Sequence, residues 1–407
     1  MKILKEYEKI AGKEQIEQLR IKAEPLKDKH ILCINSTSHG GGVAEMLNSS
    51  IVLFNLLDID FGWRTLHGSS DFFNVTKGIH NSLQGESMKL TRKKKNIYYD
   101  TNKMFSIFTH VDHDMVIVHD PQPLPLIDFY EKKQPWICRF HMDLSYPDMS
   151  IWRYIRSFVN KYDHFVVSKE EYKKRLDVPQ SIMYPAIDPL SPKNRPVNDR
   201  TVRKMLEEND IDRSIPIITQ ISRFDKWKDP TGVIKIFEKV RRKEKCQLAL
   251  IGSFSVDDPE GQKIFEKTER MKQESRYGDN IKLMLNTTDV MVNCMQKESA
   301  VVIQKSLREG FGLVVSEALF KGTPVVASNV GGIPFQVLNG MNGFLRDPND
   351  IEGFSACILK LLRDEKLRNE MGRRGKLHVT NNFLVTRLMI DWMNLISNYL
   401  LPAKNAR

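Results

Sequence analysis

The sequence lacks most of the features that would place it in a membrane, in an oxidising compartment or around a metal. No run of about 18 apolar residues occurs, the length a membrane-crossing helix needs. The opening residues, Met1-Lys2-Ile3-Leu4-Lys5-Glu6, turn charged at once and do not read as a signal peptide. Cysteine is scarce. Cys33, Cys138, Cys246, Cys294 and Cys357 are far apart, and most sit in apolar runs. An odd, scattered set reads as buried thiols rather than disulfides, and no pair has metal-ligand spacing. No metal site is evident in the sequence, and Asp257-Asp258 has no assignable partner. There is no repeat period and no low-complexity tract. These absences lead us to expect a cytoplasmic chain without disulfides, membrane attachment or a metal centre.

What is present suits two domains. The chain has 407 residues, enough for two full cores. Its formal charge of +11 suits nucleic acid or an anionic small substrate. The densest basic runs, Arg92-Lys93-Lys94-Lys95 and Arg241-Arg242-Lys243, read as solvated helix faces or ends. The other cations are scattered and no nucleic-acid motif accompanies them, so a small anionic ligand is the expected partner.

In the first half, apolar strands are expected at 30–35, 62–66, 115–118, 136–140 and 164–167, with one more at 181–184. Helices are expected at 43–57, 72–83 and 94–108. Between the first strand and the first of these helices lies a loop with Gly40, Gly41 and Gly42, which lets backbone approach a ligand closely. It has neither the G-x-G-x-x-G spacing of a dinucleotide site nor a P-loop lysine. Polar residues recur just after strand ends: His119 and Asp120, then His141 and Asp143. In an open parallel sheet those ends form the ligand crevice.

Prolines 185, 189, 192 and 196 mark a linker, followed by a polar helix near 199–209. Strands then alternate with helices again, with strands at 216–221, 246–251, 281–285, 300–303 and 324–327. Alternation of this kind argues for an α/β chain with a parallel sheet in each half. We set the first domain at 1–195, with a terminal helix at about 384–407 returning to it, and the second at 196–383. Arg223 and Lys228 flank a turn after the strand at 216–221 and could hold a diphosphate without a metal. A second turn, Arg308-Glu309-Gly310-Phe311-Gly312, opens a helix at Leu313 that carries Glu317. A helix N-terminus suits phosphate, and the two carboxylates suit sugar hydroxyls.

The strings SRFDKWK, REGFG followed by Glu317, and Gly331-Gly332-Ile333 resemble the donor domain of retaining glycosyltransferases of the GT-B fold. The strings NSTSHGGGVAEML, FFNVTKGIHNSLQG, VHDPQP and RFHMDLS resemble the trehalose synthase family of the glycosyl-transferring type, akin to trehalose phosphorylase. This resemblance implies two Rossmann-like domains facing across a cleft. It implies transfer of glucose from a nucleoside diphosphate glucose, such as UDP-glucose or ADP-glucose, to free glucose, forming trehalose with retention.

By the same resemblance Arg223 and Lys228 hold the diphosphate, and Glu317 accepts bonds from the ribose. Glu309 binds the transferred glucose, and His141 sits at the reacting centre. Gly310, Phe311, Gly312 and Leu313 line the donor, the Gly40–Gly42 loop approaches it, and His119, Asp120 and Asp143 are candidates for the acceptor pocket. No cofactor is obligatory, a divalent cation being at most stimulatory, and a homodimer fits the family. For this family front-face displacement, with the leaving phosphate as base, is the common proposal for retention, and the sequence does not decide it.

Two residues depart from the wider pattern. Asp229 stands where many relatives have glycine, and Lys305 where a neutral residue is expected. A cation at 305 would alter nucleotide preference or face solvent. The rival readings are a trehalose phosphorylase, a GT-B glucosyltransferase with another acceptor, a sugar sensor that binds without turnover, and, from a different class, a basic nucleic-acid-binding protein.

Overall fold

The computed structural model describes residues 2–38, 41–253 and 259–401. The chain divides into two compact units, Met1–Ala186 with Val385–Arg407, and Ile187–Leu384. The division falls earlier than the expected 195/196 boundary. Residues 187–195 belong to the second unit because the Asn293 side-chain amide donates to the carbonyls of Pro192 and Arg195, at 3.0 and 2.8 Å.

The first unit is built on six strands: β1 (His30–Asn35), β2 (Asp60–Thr65), β3 (Met115–His119), β4 (Trp136–Arg139), β5 (His164–Val167) and β6 (Gln180–Ile182). They form one parallel sheet in the order β2-β1-β3-β4-β5-β6. The central strands HILCIN, MVIVH, WICR and HFVV are apolar runs because helices cover both faces, as parallel sheets require. Helices Ser70–Leu83 and Arg92–Ile107 pack Phe72, Val75, Ile79 and Tyr98 onto one face. The terminal helix Val385–Leu400 brings Trp392 against Arg139.

The second unit repeats the plan with β7 (Ile217–Ile221), β8 (Gln247–Gly252), β9 (Ile281–Leu285), β10 (Val301–Gln304), β11 (Val325–Ser328) and β12 (Gly343–Arg346). Their order is β12-β11-β10-β7-β8-β9, again parallel. Helix Met149–Val159 of the first unit and helix Pro230–Arg241 of the second, which the sequence reading does not include, each bury an apolar stripe.

Both sheets reverse direction at their first strand. The chain runs from β1 out to β2 and resumes at β3 on the other side. It runs from β7 out through β9 and resumes at β10. Such switch points leave a crevice beyond the strands' carboxyl ends. Buried polar residues gather there: Asn35, His119 and Arg139 close strands of the first sheet, and Gln220 and Gln304 lie at the ends of β7 and β10.

Candidate active site

In the second unit, two loops meet at the switch point between β7 and β10. The loop after β7 is fixed by alternation. Phe224 is buried edge-on against Phe265, with ring centres 5.1 Å apart. Asp225 accepts the Trp227 N–H at 2.9 Å and starts a short turn, Lys226–Lys228. Arg223 therefore points outward, with its side chain 53 % exposed and Asp225 at 3.5 Å.

Three bonds tie this loop to the loop after β10. The Leu307 N–H donates to the Trp227 carbonyl at 2.7 Å. Lys228 Nζ donates to Glu309 Oε2 at 2.5 Å. Lys305 donates to Asp229. The Gln220 amide fixes the Lys228 carbonyl at 2.7 Å.

Glu309 is buried, and Gln304 and Ser306 also donate to Oε2, at 3.1 and 3.0 Å. Buried carboxylates need such partners, and here the partners fix its orientation. The sequence reading assigned Lys228 and Glu309 to different parts of the donor, and the structure joins them in one ion pair. Lys305 does not face solvent: its side chain is 3 % exposed.

Gly310, Phe311 and Gly312 carry the chain into helix Leu313–Phe320. Gly312 has φ +82°, which suits glycine, and a Cβ there would also lie 3.2 Å from Glu309 Cγ. The helix start has no side-chain cap. Its first N–H groups and positive dipole end therefore suit a phosphate. Gly332 packs so tightly under this turn that a Cβ would come within 2.8 Å of the Gly310 carbonyl oxygen. Gln336 reaches the Phe311 carbonyl at 2.5 Å. Glu317 is buried in the helix and accepts from Gln296 Nε2 at 2.9 Å.

The first unit has a polar cluster of its own, at the switch point between β1 and β3. His119 Nδ1 lies 3.0 Å from His141 Nε2, and Cys33 Sγ lies 3.4 Å from His119 Nε2. Asp120, left-handed at φ 64°, accepts the His141 backbone N–H at 2.8 Å. Arg139 is buried and donates to the Met183 carbonyl at 3.2 Å.

Burial and the nearby Arg139 push His119 down to about 3 and hold His141 well below its ordinary value. Burial lifts Asp120 to about 7, against the His141 N–H and Arg139, which both favour the carboxylate. Asp143 is buried and accepts the Ser145 N–H at 2.8 Å, closing its own turn. Gly41 (φ +83°) and Gly42 begin helix Gly42–Asn55, while Gly40 lies outside the described residues.

The sequence reading misses Cys33, Arg139, Gln304 and Ser306. For Cys33, Arg139 and Gln304 the signal was a thiol within, or a polar residue closing, an otherwise apolar strand; Ser306 lies two residues beyond β10 and had no such signal.

The doubly switched pair of parallel sheets, together with the family match of the second unit, places the chain among glycosyltransferases of the GT-B class. Residues 202–378 match the family model of glycosyl transferases group 1, and residues 33–174 match that of the trehalose synthase N-terminal domain. The chain belongs to the trehalose synthase family. It is 44 % identical to the trehalose synthase of Thermococcus litoralis over 98 % of this chain and 97 % of that protein. It is 27 % identical to the trehalose phosphorylase of Pleurotus pulmonarius, over 97 % of this chain and 61 % of that protein. The solved α,α-trehalose-phosphate synthase (UDP-forming) from Burkholderia xenovorans, in complex with glucose-6-phosphate, shares the fold. Its TM-score is 0.75 at 13 % identity, over 90 % of this chain and all of that one.

Proposed function

We propose that this enzyme transfers glucose from a nucleoside diphosphate glucose to the anomeric hydroxyl of free glucose, giving α,α-trehalose with retention. The observation that carries this reading is the set of groups beyond β7 and β10. An exposed guanidinium, the Lys228–Glu309 pair and an uncapped helix start lie together there, with Glu317 in the same helix. Cations and open N–H groups suit a diphosphate. Buried, oriented carboxylates suit sugar hydroxyls.

In this reading Arg223, Lys228 and the helix start take up charge that develops on the leaving diphosphate. Glu309 binds hydroxyls of the transferred glucose, Glu317 those of the ribose, and His141 the reacting sugar. The bond from glucose C1 to the phosphate oxygen breaks as the bond to the acceptor oxygen forms on the same face. The acceptor's proton passes to the leaving phosphate. No metal is required, because the side chains supply the positive charge.

The test is product analysis with glucose and, separately, UDP-, ADP- and GDP-glucose, without phosphate. A non-reducing disaccharide with equimolar nucleoside diphosphate supports the proposal. Turnover only with trehalose plus phosphate would move the reading to a phosphorylase, which the 27 % identity to that enzyme keeps in view. Donor hydrolysis without disaccharide would retain the donor site and reject glucose as the acceptor.

A further inference from the structure

Three side chains from neighbouring strands of the first sheet stand in line: Cys33 in β1, His119 at the end of β3, and His141 just beyond β4. Cys33 Sγ is 3.4 Å from His119 Nε2, and His119 Nδ1 is 3.0 Å from His141 Nε2. At the end of the line His141 Nδ1 is buried with no hydrogen-bond partner among the described residues.

Each hydrogen bond in the line needs one donor and one acceptor, so only two arrangements are consistent with neutral rings. In the first, the thiol donates to His119 Nε2, His119 Nδ1–H donates to His141 Nε2, and His141 carries its proton on Nδ1. In the second, both bonds reverse, and the thiol proton must find a different acceptor. Sulfur is a weak acceptor, whereas a neutral imidazole nitrogen is a good one. Among the described residues Sγ has no hydrogen-bond partner besides His119. Burial also keeps the Cys33 thiol protonated and both rings neutral, with Arg139 further disfavouring charge on the rings. The first arrangement uses the strongest acceptor in the line and leaves no thiol proton stranded.

We propose that Cys33 and His119 are positioning residues that fix His141 as the Nδ1–H tautomer, so that it offers an N–H donor to a sugar hydroxyl oxygen. This rests on the function proposed above. The assignment has a consequence for mechanism. A ring already protonated at its open nitrogen cannot take the acceptor's proton there. His141 then binds and orients the sugar, and the leaving phosphate remains the base.

The tautomers are read directly from long-range proton–nitrogen correlation spectra of protein labelled with nitrogen-15 histidine. Signals are assigned by their loss in His119→Gln and His141→Gln. The expected result is Nδ1–H for both rings in the wild type. Cys33→Ser retains that pattern, because a hydroxyl also donates. Cys33→Ala moves His141 to a mixture of tautomers and lowers kcat about tenfold, the low end for losing a partner that orients a ligating imidazole. KM for the nucleotide sugar stays unchanged, and Cys33→Ser recovers most of kcat.

His141 protonated on Nε2 in the wild type overturns the proposal whatever the activity. That spectrum decides the matter even if Cys33→Ala fails to fold. The expected tautomers without glucose transfer would reject the proposed function and leave the tautomer assignment standing. Transfer with the opposite tautomer would do the reverse.

Discussion

Lys305 and Asp229 form an ion pair inside the second unit, and each residue accounts for the other. Position 229 is left-handed, with φ 42° and ψ 58°, a conformation that suits glycine and that aspartate tolerates. Aspartate adds a cap for helix Pro230–Arg241, accepting the Gly232 N–H at 2.9 Å. It also provides a counter-charge for Lys305, which could not otherwise be buried at 3 % side-chain exposure. The two residues are therefore one feature. It pins the loop carrying Lys228 to the loop carrying Glu309.

Removing either charge strands the other, and the two cases differ. Asp229→Asn keeps the cap and the left-handed turn but leaves a buried ammonium, so it should cost about 3 kcal/mol of stability. Lys305→Met leaves a carboxylate that is 21 % exposed and should cost less. The double variant should recover much of the loss. A double-mutant cycle by urea unfolding measures the coupling, and a coupling near zero would mean the pair contributes nothing.

Glu309→Gln should preserve the fold while removing most turnover. The amide fits the same space and still accepts from Ser306 and Gln304, which lie 3.0 and 3.1 Å from Oε2. It no longer balances Lys228. If Glu309 holds hydroxyls of the transferred glucose, kcat should fall about a hundredfold, the scale for one oriented transition-state contact. Steady-state kinetics beside a melting curve separates this from unfolding. Unchanged kcat would remove Glu309 from the site.

The two central histidines make stability depend on acid in a stated direction. Unfolded, each binds a proton below about 6.5. Folded, His119 does so only near 3, and His141 also well below its ordinary value. Their contribution is fully present above about 6.5 and is lost as pH falls through the window below it, which for His119 amounts to about 2 kcal/mol between pH 7.5 and 5. Asp120 acts oppositely. Its folded value of about 7 lies above the unfolded one, so its contribution is lost as pH rises from about 4 to 7. His119→Gln should therefore shrink the difference in unfolding free energy between pH 7.5 and 5. An undiminished difference would show that His119 takes up its proton in the folded state.

The sheets were legible because parallel strands are buried on both faces and read as apolar runs. The turns after them were legible because glycine and charge interrupt those runs. Side-chain pairing was not. Lys228 and Glu309 lie 81 residues apart, and Lys305 and Asp229 lie 76 apart, so only the sheet order brings each pair together. The long helix Glu365–Asn382 escapes the apolar spacing because few of its residues are buried and Gly372 and Gly375 lie within it. Strand β12 is four residues, GFLR, at a sheet edge, too short and mixed to show a period.

Arg223 gives the test that separates nucleotide from phosphate chemistry. Its guanidinium is more than half exposed and lies 3.5 Å from Asp225, so it supports little of the fold. Arg223→Ala should leave the unfolding free energy unchanged and weaken binding of the nucleoside diphosphate by about 2 kcal/mol, the scale for a hydrogen bond to a charged group. The lost affinity should shrink as salt rises, since the group is exposed to screening ions. A chelator should leave both affinity and turnover in place, because no metal carries the charge in the proposed reaction. Calorimetric titration of wild type and variant with UDP, ADP and inorganic phosphate, at low and high salt and with chelator, reads the affinities; urea unfolding reads the stability and the product assay with chelator reads turnover. A wild type that binds phosphate but no nucleotide would place the enzyme among phosphorylases. Turnover abolished by chelation would instead assign the diphosphate charge to a metal rather than to Arg223 and Lys228.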